Sequence, residues 1–393
     1  MERKSNRSEN EGREEAGGSI RRPGLAALTT RNRIFRFILE SPAPVSKQEI
    51  VNALNLSLPT VHQKLQELMA DHLIRVGEVQ KSTGGRPPAA YTVEENACYA
   101  IGLSISANHL RFLLSNLKRQ QLAYKKIRLK PEEWTMERLF SEMDLFIKEN
   151  KVDQDRILGI GITIPGILNR NANRILLSPT LPAQKFSLQG LQKKSRYPIF
   201  ITNDTKASAL AELIHRPAEE RRKPFLYLLL EYGVGGAVCL DGKILHGSNG
   251  RSAEFGHMCL EPNGLLCNCG KHGCLEAYCG ALRFTRDLGL TTEEFFQGLK
   301  EGKPELANLW EDVLEHLAMA LVNLHLAFDY DIVLGGFVSE YMADYLPHLK
   351  ELAASRDPFL NGEPADYLSI GKLRNAGMIG AAWHFISQFV SQV

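Results

Sequence analysis

Apolar positions recur at two spacings along the chain, and the change between them divides it. Up to about residue 70 the spacing is helical. Ile34, Phe35, Ile38 and Leu39 make one face of a helix over residues 31–40, with Thr29 and Thr30 as candidate caps and Pro42 and Pro44 closing it. Ser46 and Glu49 form a capping box, opening a short helix whose Ile50, Val51 and Leu54 face inward. Ser57 caps a further helix with Val61, Leu65, Leu68 and Met69 at i, i+4, i+7 and i+8, and Pro59 is tolerated in its first turn. "IRVGEVQKSTGGRPPAAYTV" then reads as two strands around a glycine-rich tip. Beyond it strands dominate: 99–114 with a polar turn inside "IGLSISANHLRFLL", 122–128, 157–166 and 198–205, with helices over 132–149 and "SALAELIH". "FLYLLLEYGVGGAVCLDGKIL" predicts a long hairpin; helical spacing returns over 291–328, followed by the strand "DIVLGG" and a last helix through "MIGAAWHFISQFV". This order predicts an α/β body, in two lobes.

The amino-terminal pattern is that of a winged helix-turn-helix. Two short helices meet at a brief turn, and the second presents Thr60, His62, Gln63 and Lys64, side chains able to reach base edges in a major groove. Arg86, on the tip "STGGRPP", suits an A·T-rich minor groove of double-stranded DNA. A helical protein-interaction module with a polar loop has the same outline. Charge weighs on the side of DNA: residues 1–90 carry net +4 and the remainder net −2, although the whole chain is only +2.

At 393 residues the chain is too long for one ordinary core. No run of about 18 apolar residues is present to span a bilayer, and the most apolar stretch, 225–240, is broken by Glu231. The first twenty residues are charged and lack the apolar middle of a secretory signal, so a cytoplasmic location is expected. The expected organisation is a disordered tail (1–25), a winged helix-turn-helix (26–93), a first α/β lobe (97–203 with 381–393) and a second (204–380).

Five of the seven cysteines fall between 259 and 279, which argues for metal rather than disulfides in a reducing compartment. Cys267, Cys269 and Cys274 form C-x-C-x4-C, with His257 ten residues earlier, a closed tetrahedral set for structural zinc. Gly270 and Gly273 let that loop turn. Cys259 and Cys279 fall outside the spacing and are expected to be buried apolar residues, with His272 a loop residue or a group that supports the ligands; a cysteine-rich loop without metal is the alternative. Polar groups gather on the same body: Asn203 and Asp204 at a strand end, Glu254 and His257 in "SAEFGH", and Glu276 after the last of the three thiols. Such a set can bind a polyol, and a carboxylate at a strand end can act as a general base; a lone Asp there also serves as a helix cap.

With "CNCGKHGCLE" at its centre, and "GITIPG", "ITND", "DGKILHGSNGRSAEFGHM", "IVLGG" and "AGMIGAA" in order around it, the chain resembles the ROK family of sugar kinases and sugar-responsive repressors over roughly residues 30–390. The resemblance implies an actin-like (ASKHA, ribonuclease H-like) two-lobed ATPase fold with sugar in the cleft. It implies hydroxyl contacts from Asn203, Asp204, Glu254, His257 and Glu276, with Asp204 at the position of the kinase base, and zinc on His257, Cys267, Cys269 and Cys274. Thr180 and Gln184 replace the family's common Asn and Trp.

The nucleotide side departs from the kinases. Their D-x-G-G-T turn is represented by Ser104, Ser106, Ala107 and Asn108, their G-T-G by Glu231, Tyr232 and Gly233, and the third glycine of their "LGGG" by Phe337. An unopposed Glu231 about 4 Å from a phosphate would repel it by roughly 4 kcal/mol at an effective dielectric near 20. The implied function is a sugar-responsive repressor acting as a homodimer or homotetramer, binding sugar or sugar phosphate without kinase activity. An ATP-dependent sugar kinase fused to a DNA-binding domain, and a regulator released from DNA by a protein partner, are the rivals.

Overall fold

The computed structural model describes residues 28–77, 89–106, 109–130, 133–169, 174–177 and 188–393. Arg86, Ala107, Asn108, Thr180, Gln184 and the expected tail lie outside these residues. The amino-terminal unit runs α1 (Thr30–Glu40), β1 (Val45–Ser46), α2 (Lys47–Leu54), α3 (Leu58–Ala70), β2 (Ile74–Val76) and β3 (Ala90–Val93), its strands ordered β1-β3-β2. The caps are those the sequence predicts: Thr29 accepts from Asn32 N, Ser46 forms the reciprocal box with Glu49, and Ser57 accepts from Thr60 N.

The first lobe follows as β4 (Tyr99–Ser106), β5 (His109–Asn116), β6 (Gln121–Arg128), α4 (Met136–Glu149), β7 (Ile157–Ile164), the small pair β8 (Ile167–Asn169) and β9 (Arg174–Leu177), α5 (Leu188–Lys194) and β10 (Ile199–Asn203). The second lobe holds α6 (Asp204–His215), β11 (Phe225–Leu230), β12 (Val234–Leu240), β13 (Lys243–Ile244), α7 (Leu275–Cys279), α8 (Leu282–Thr285), α9 (Thr292–Lys300), α10 (Pro304–Phe328), β14 (Asp331–Gly335), α11 (Leu346–Ala354) and β15 (Leu368–Ile370), after which α12 (Ala376–Gln392) returns to pack on β4 and β7 of the first lobe. The first sheet is ordered β10-β7-β4-β5-β6 and the second β13-β12-β11-β14-β15. Each is an antiparallel three-strand meander extended by two parallel strands, so one plan is built twice. This is the actin-like arrangement, with α6 and α12 lying between the lobes.

Three boundaries differ from the sequence reading, each for a local reason. The helix expected from residue 132 begins at Met136, because Thr135 caps it by accepting from Arg138 N. The strand expected to reach 205 stops at Asn203, whose side chain caps α6 by accepting from Lys206 N. The helical run 291–328 is two helices, broken where Gly302 takes φ +75 and Pro304, lacking an N–H, restarts the chain.

The amino-terminal unit is not a pendant. One apolar cluster joins Ile34, Phe35 and Ile38 of α1 to Phe385, Ile386 and Val390 of α12 and to Cys98, Ala100 and Leu117 of the first lobe. Asn32 donates from Nδ2 to the Val390 carbonyl. In turn α12 lies against β7 so closely that a Cβ on Gly161 would come within 2.2 Å of the Ala381 carbonyl oxygen. No helix among the described residues is long and apolar enough to cross a membrane.

Candidate functional site

The cysteine loop is held in shape before any ion is considered. Short bridges pair Cys259 with Cys274 and Leu266 with His272, and Gly273, at φ +78, passes where a Cβ would lie 1.7 Å from the Glu261 carbonyl oxygen. The ligand atoms of His257, Cys267, Cys269 and Cys274 all fall within 4.8 Å of one another. Two thiolates about 2.3 Å from a tetrahedral zinc ion lie about 3.8 Å apart; Cys269 Sγ is 3.7 Å from Cys274 Sγ, and Cys267 Sγ is 3.9 Å from His257 Nδ1. The four residues therefore fit a small tetrahedral cation. Cys259, expected to be buried, is exposed, with its thiol 3.7 Å from the His272 carbonyl; the loop carries it past the cluster on the solvent side. Cys279 is buried as expected, its thiol pushed up by burial.

From this loop a line of acids runs to the floor of the cleft. Glu276 accepts from Val234 N through Oε2 at 3.0 Å, while its Oε1 is 3.7 Å from Cys267 Sγ, so one carboxylate touches both the metal loop and the second sheet. Burial holds the Glu254 carboxyl above its usual range, opposed by Lys206 and His257 and reinforced by Glu276. Asp204 is pushed up to about 7, by burial first, then by Glu231, with Glu254 adding to the rise and hydrogen bonds from Thr205 restraining it. Each end of the Asn203 amide makes one bond and keeps capacity for another: Oδ1 accepts from Lys206 N at 2.9 Å and Nδ2 donates to the Gly166 carbonyl at 3.0 Å. Capping of α6 therefore falls to Asn203, which leaves Asp204 facing the cleft. The fold brings Asp204, Glu254, His257 and Glu276 into one electrostatic neighbourhood with Asn203 beside them. Lys206, one turn beyond Asn203, belongs to the same group; its Nζ donates to the Gly250 carbonyl at 3.0 Å.

On the nucleotide side, Ser104 and Ser106 end β4, paired with Arg111 and His109 of β5. The Glu231 carboxyl is pushed up by burial and by Glu340, and Arg111 from the opposite lobe pulls it back down. It is therefore not the unopposed charge assumed from the sequence, and the repulsion calculated there is an upper bound. Phe337 stands edge-on to Tyr232, ring centroids 5.1 Å apart, filling the space beside that carboxylate with apolar surface.

The helix-turn-helix face is partly committed to itself. His62 Nδ1 is 3.0 Å from Lys47 Nζ, Gln63 donates to Glu67, and Lys64 Nζ binds Glu67 at 2.7 Å. Thr60 Oγ1 is 2.7 Å from the cap Ser57. His62 and Gln63 are exposed; Thr60 and Lys64 are half-buried, and Lys64 must leave Glu67 to reach a phosphate or base.

Comparison with known proteins gives this geometry its relatives. The xylose repressor of Caldicellulosiruptor bescii is 25% identical over 82% of this chain and 86% of its own length. The DNA-binding transcriptional repressor Mlc of Escherichia coli is 25% identical over 70% of this chain and 69% of its own length. Among solved structures, a ROK family transcriptional regulator homologous to E. coli Mlc superposes with TM-score 0.70 at 22% identity, over 92% of this chain and 96% of that one. A ROK hexokinase from Thermus thermophilus gives TM-score 0.58 at 28% identity, over 72% of this chain and 96% of its own. The model of the ROK family matches residues 100–388, the two lobes and the helix between them, and the chain belongs to that family.

Proposed function

We propose that the protein is a cytoplasmic, sugar-responsive transcriptional repressor of carbohydrate-utilisation genes, a homo-oligomer without ATP-dependent kinase activity. The observation that carries this reading is the continuous core between the helix-turn-helix unit and α12, beside a cleft that keeps the acids for hydroxyls and lacks the glycines for phosphates. The names of the relatives, xylose repressors, the DNA-binding transcriptional repressor Mlc and the DNA-binding transcriptional dual regulator NagC, support it. Sugar hydroxyls donate to Asp204, Glu254 and Glu276 and pair with Asn203 and His257. Zinc on His257, Cys267, Cys269 and Cys274 is structural: three thiolates leave little Lewis acidity, and the loop fixes the wall that bears Glu276. Closure of the lobes shifts α12 and with it α1, and a small rotation at a dimer interface takes paired recognition helices out of step with the major-groove repeat.

The test is anisotropy of labelled operator DNA titrated with protein, repeated with xylose, glucose, N-acetylglucosamine and their phosphates at millimolar concentration. The expected outcome is tight, salt-dependent DNA binding that at least one sugar weakens about tenfold or more. The kinase reading keeps one observation on its side, a carboxyl at Asp204 poised near neutrality to accept a hydroxyl proton. Transfer of phosphate from ATP to any of these sugars above a protein-free control would establish it. If no sugar changes DNA binding while a cell protein does, the effector is a protein partner.

A further inference from the structure

One face of the first sheet carries a charge pattern that the hydroxyl-binding cleft does not use. Cross-strand pairing puts Ser104 opposite Arg111, Ser106 opposite His109, Arg111 opposite Lys126 and His109 opposite Arg128. Paired residues share a face, so His109, Arg111, Lys126 and Arg128 stand together. That face is turned toward the interlobe helices, because Gly102, two residues before Ser104 on β4, abuts Met378 of α12 and Leu113 packs with Ala211 and Met378. The other face of β6 is different: Lys125 is paired with Glu142 and Glu149 of α4. The side chains of Arg111, Lys126 and Arg128 make no ion pair within 4 Å and no hydrogen bond among the described residues. His109 Nδ1 is buried with no hydrogen-bond partner. Of the acids across the cleft, Glu340 is already paired with Arg374 at 3.3 Å, and Glu231 answers to Arg111 alone.

Three cations on a single sheet face repel one another, only Arg111 faces an acid across the cleft, and an orphaned ring nitrogen among them is costly unless something fills the space between. We infer that this face is a phosphate-binding site, taking the phosphate of a small phosphorylated effector between Arg111, Lys126 and Arg128, with His109 and the Ser104 hydroxyl completing its hydrogen bonds. Charged side chains here replace the backbone amides of a glycine-rich loop, so the anion is recognised without the kinase turn. The site adjoins the acids of the cleft through Glu231, which interacts with both Arg111 and Asp204. A single ligand with hydroxyls at one end and a phosphate at the other spans the two. Assigning the phosphate to a sugar ester rests on the sugar reading above; the anion site itself does not.

The full chain is titrated calorimetrically with inorganic phosphate, a hexose 6-phosphate, the parent hexose and ATP, beside Arg111→Gln and the doubly substituted Lys126→Gln/Arg128→Gln, whose side chains lie on an exposed edge. Inorganic phosphate should bind saturably to the wild type and about tenfold or more weakly to each variant, with affinity for the parent hexose unchanged in the double variant. A hexose phosphate that outbinds both phosphate and hexose supports the sugar ester as the source, and ATP as the tightest ligand supports a nucleotide. Either result keeps the site. Phosphate binding that is lost in the variants while no hexose binds in any form removes the sugar reading and leaves the anion site standing. Absence of saturable phosphate binding by the wild type, or full retention by the double variant, overturns the inference.

Discussion

Asp204 is the cleft acid that its environment carries toward neutrality. Its ordinary value is 3.8 and burial beside Glu231 and Glu254 pushes it up to about 7. Between those values the folded protein keeps a proton that the unfolded chain releases. The stabilisation is therefore complete below pH 3.8 and lost as pH rises through about 7. Asp204→Asn removes the linkage. In urea unfolding the variant should gain about 1–3 kcal/mol on the wild type at pH 8 relative to their difference at pH 4, and parallel pH profiles would reject the raised carboxyl. Glu231→Gln tests the cause, since deleting the like charge should move the Asp204 midpoint downward. Nothing in the linear sequence distinguishes Asp204 from a helix cap. The distinction comes from Asn203 taking the cap, a matter of one residue of register between β10 and α6.

The cysteine loop is the element whose candidate chemistry is most legible in sequence, because three of the four residues that could hold a metal lie within eight residues and the glycines between them are demanded by the turn. Expected outcomes are correspondingly sharp. Cys267→Ser should lower bound zinc from one equivalent per chain to well below it. A loss of about 2 kcal/mol or more should then lower Tm by about 4–8 °C. Cys259→Ser is the control, since its thiol lies outside the cluster, and should change neither quantity; metal content by mass spectrometry and a thermal melt decide both. Long-range pairings were not legible in the same way. Arg111 and Glu231 meet across the cleft from strands in different lobes, and the shared order of the two sheets is carried by unrelated residues, so no local period announces either. The alternating basic residues of "HLR" and "KKIR" were visible as text; only the strand register makes them one surface.

At the scale of the whole molecule, three units meet at one carboxylate. Glu40 ends α1; its Oε2 is 2.6 Å from Arg221 Nη2, in the second-lobe segment between α6 and β11, and its Oε1 is 3.6 Å from Arg119 Nη1, in the β5–β6 turn of the first. Both arginines are fixed independently of it. Arg221 donates to the carbonyls of Arg216 and Ile214, and Arg119 lies over the Trp383 ring of α12 at 5.1 Å. Neither can follow Glu40 far, so rotation of one lobe against the other must stretch at least one of these pairs. The carboxylate thus couples lobe geometry to the helix that carries the DNA-binding unit, while the apolar seam of α1 with α12 supplies adhesion without direction. Glu40→Gln keeps the shape and removes the charge. For partly exposed pairs the expected stability loss is small, about 1 kcal/mol. Operator affinity without ligand should stay within about threefold, whereas the weakening of that affinity by a bound sugar should shrink by about tenfold, the range of an allosteric coupling of 1–3 kcal/mol. Arg221→Gln should have the same effect, and the double variant no more than either alone. A full sugar response in Glu40→Gln would move the coupling from this ion pair to the seam, where Phe35 and Phe385 become the residues to change.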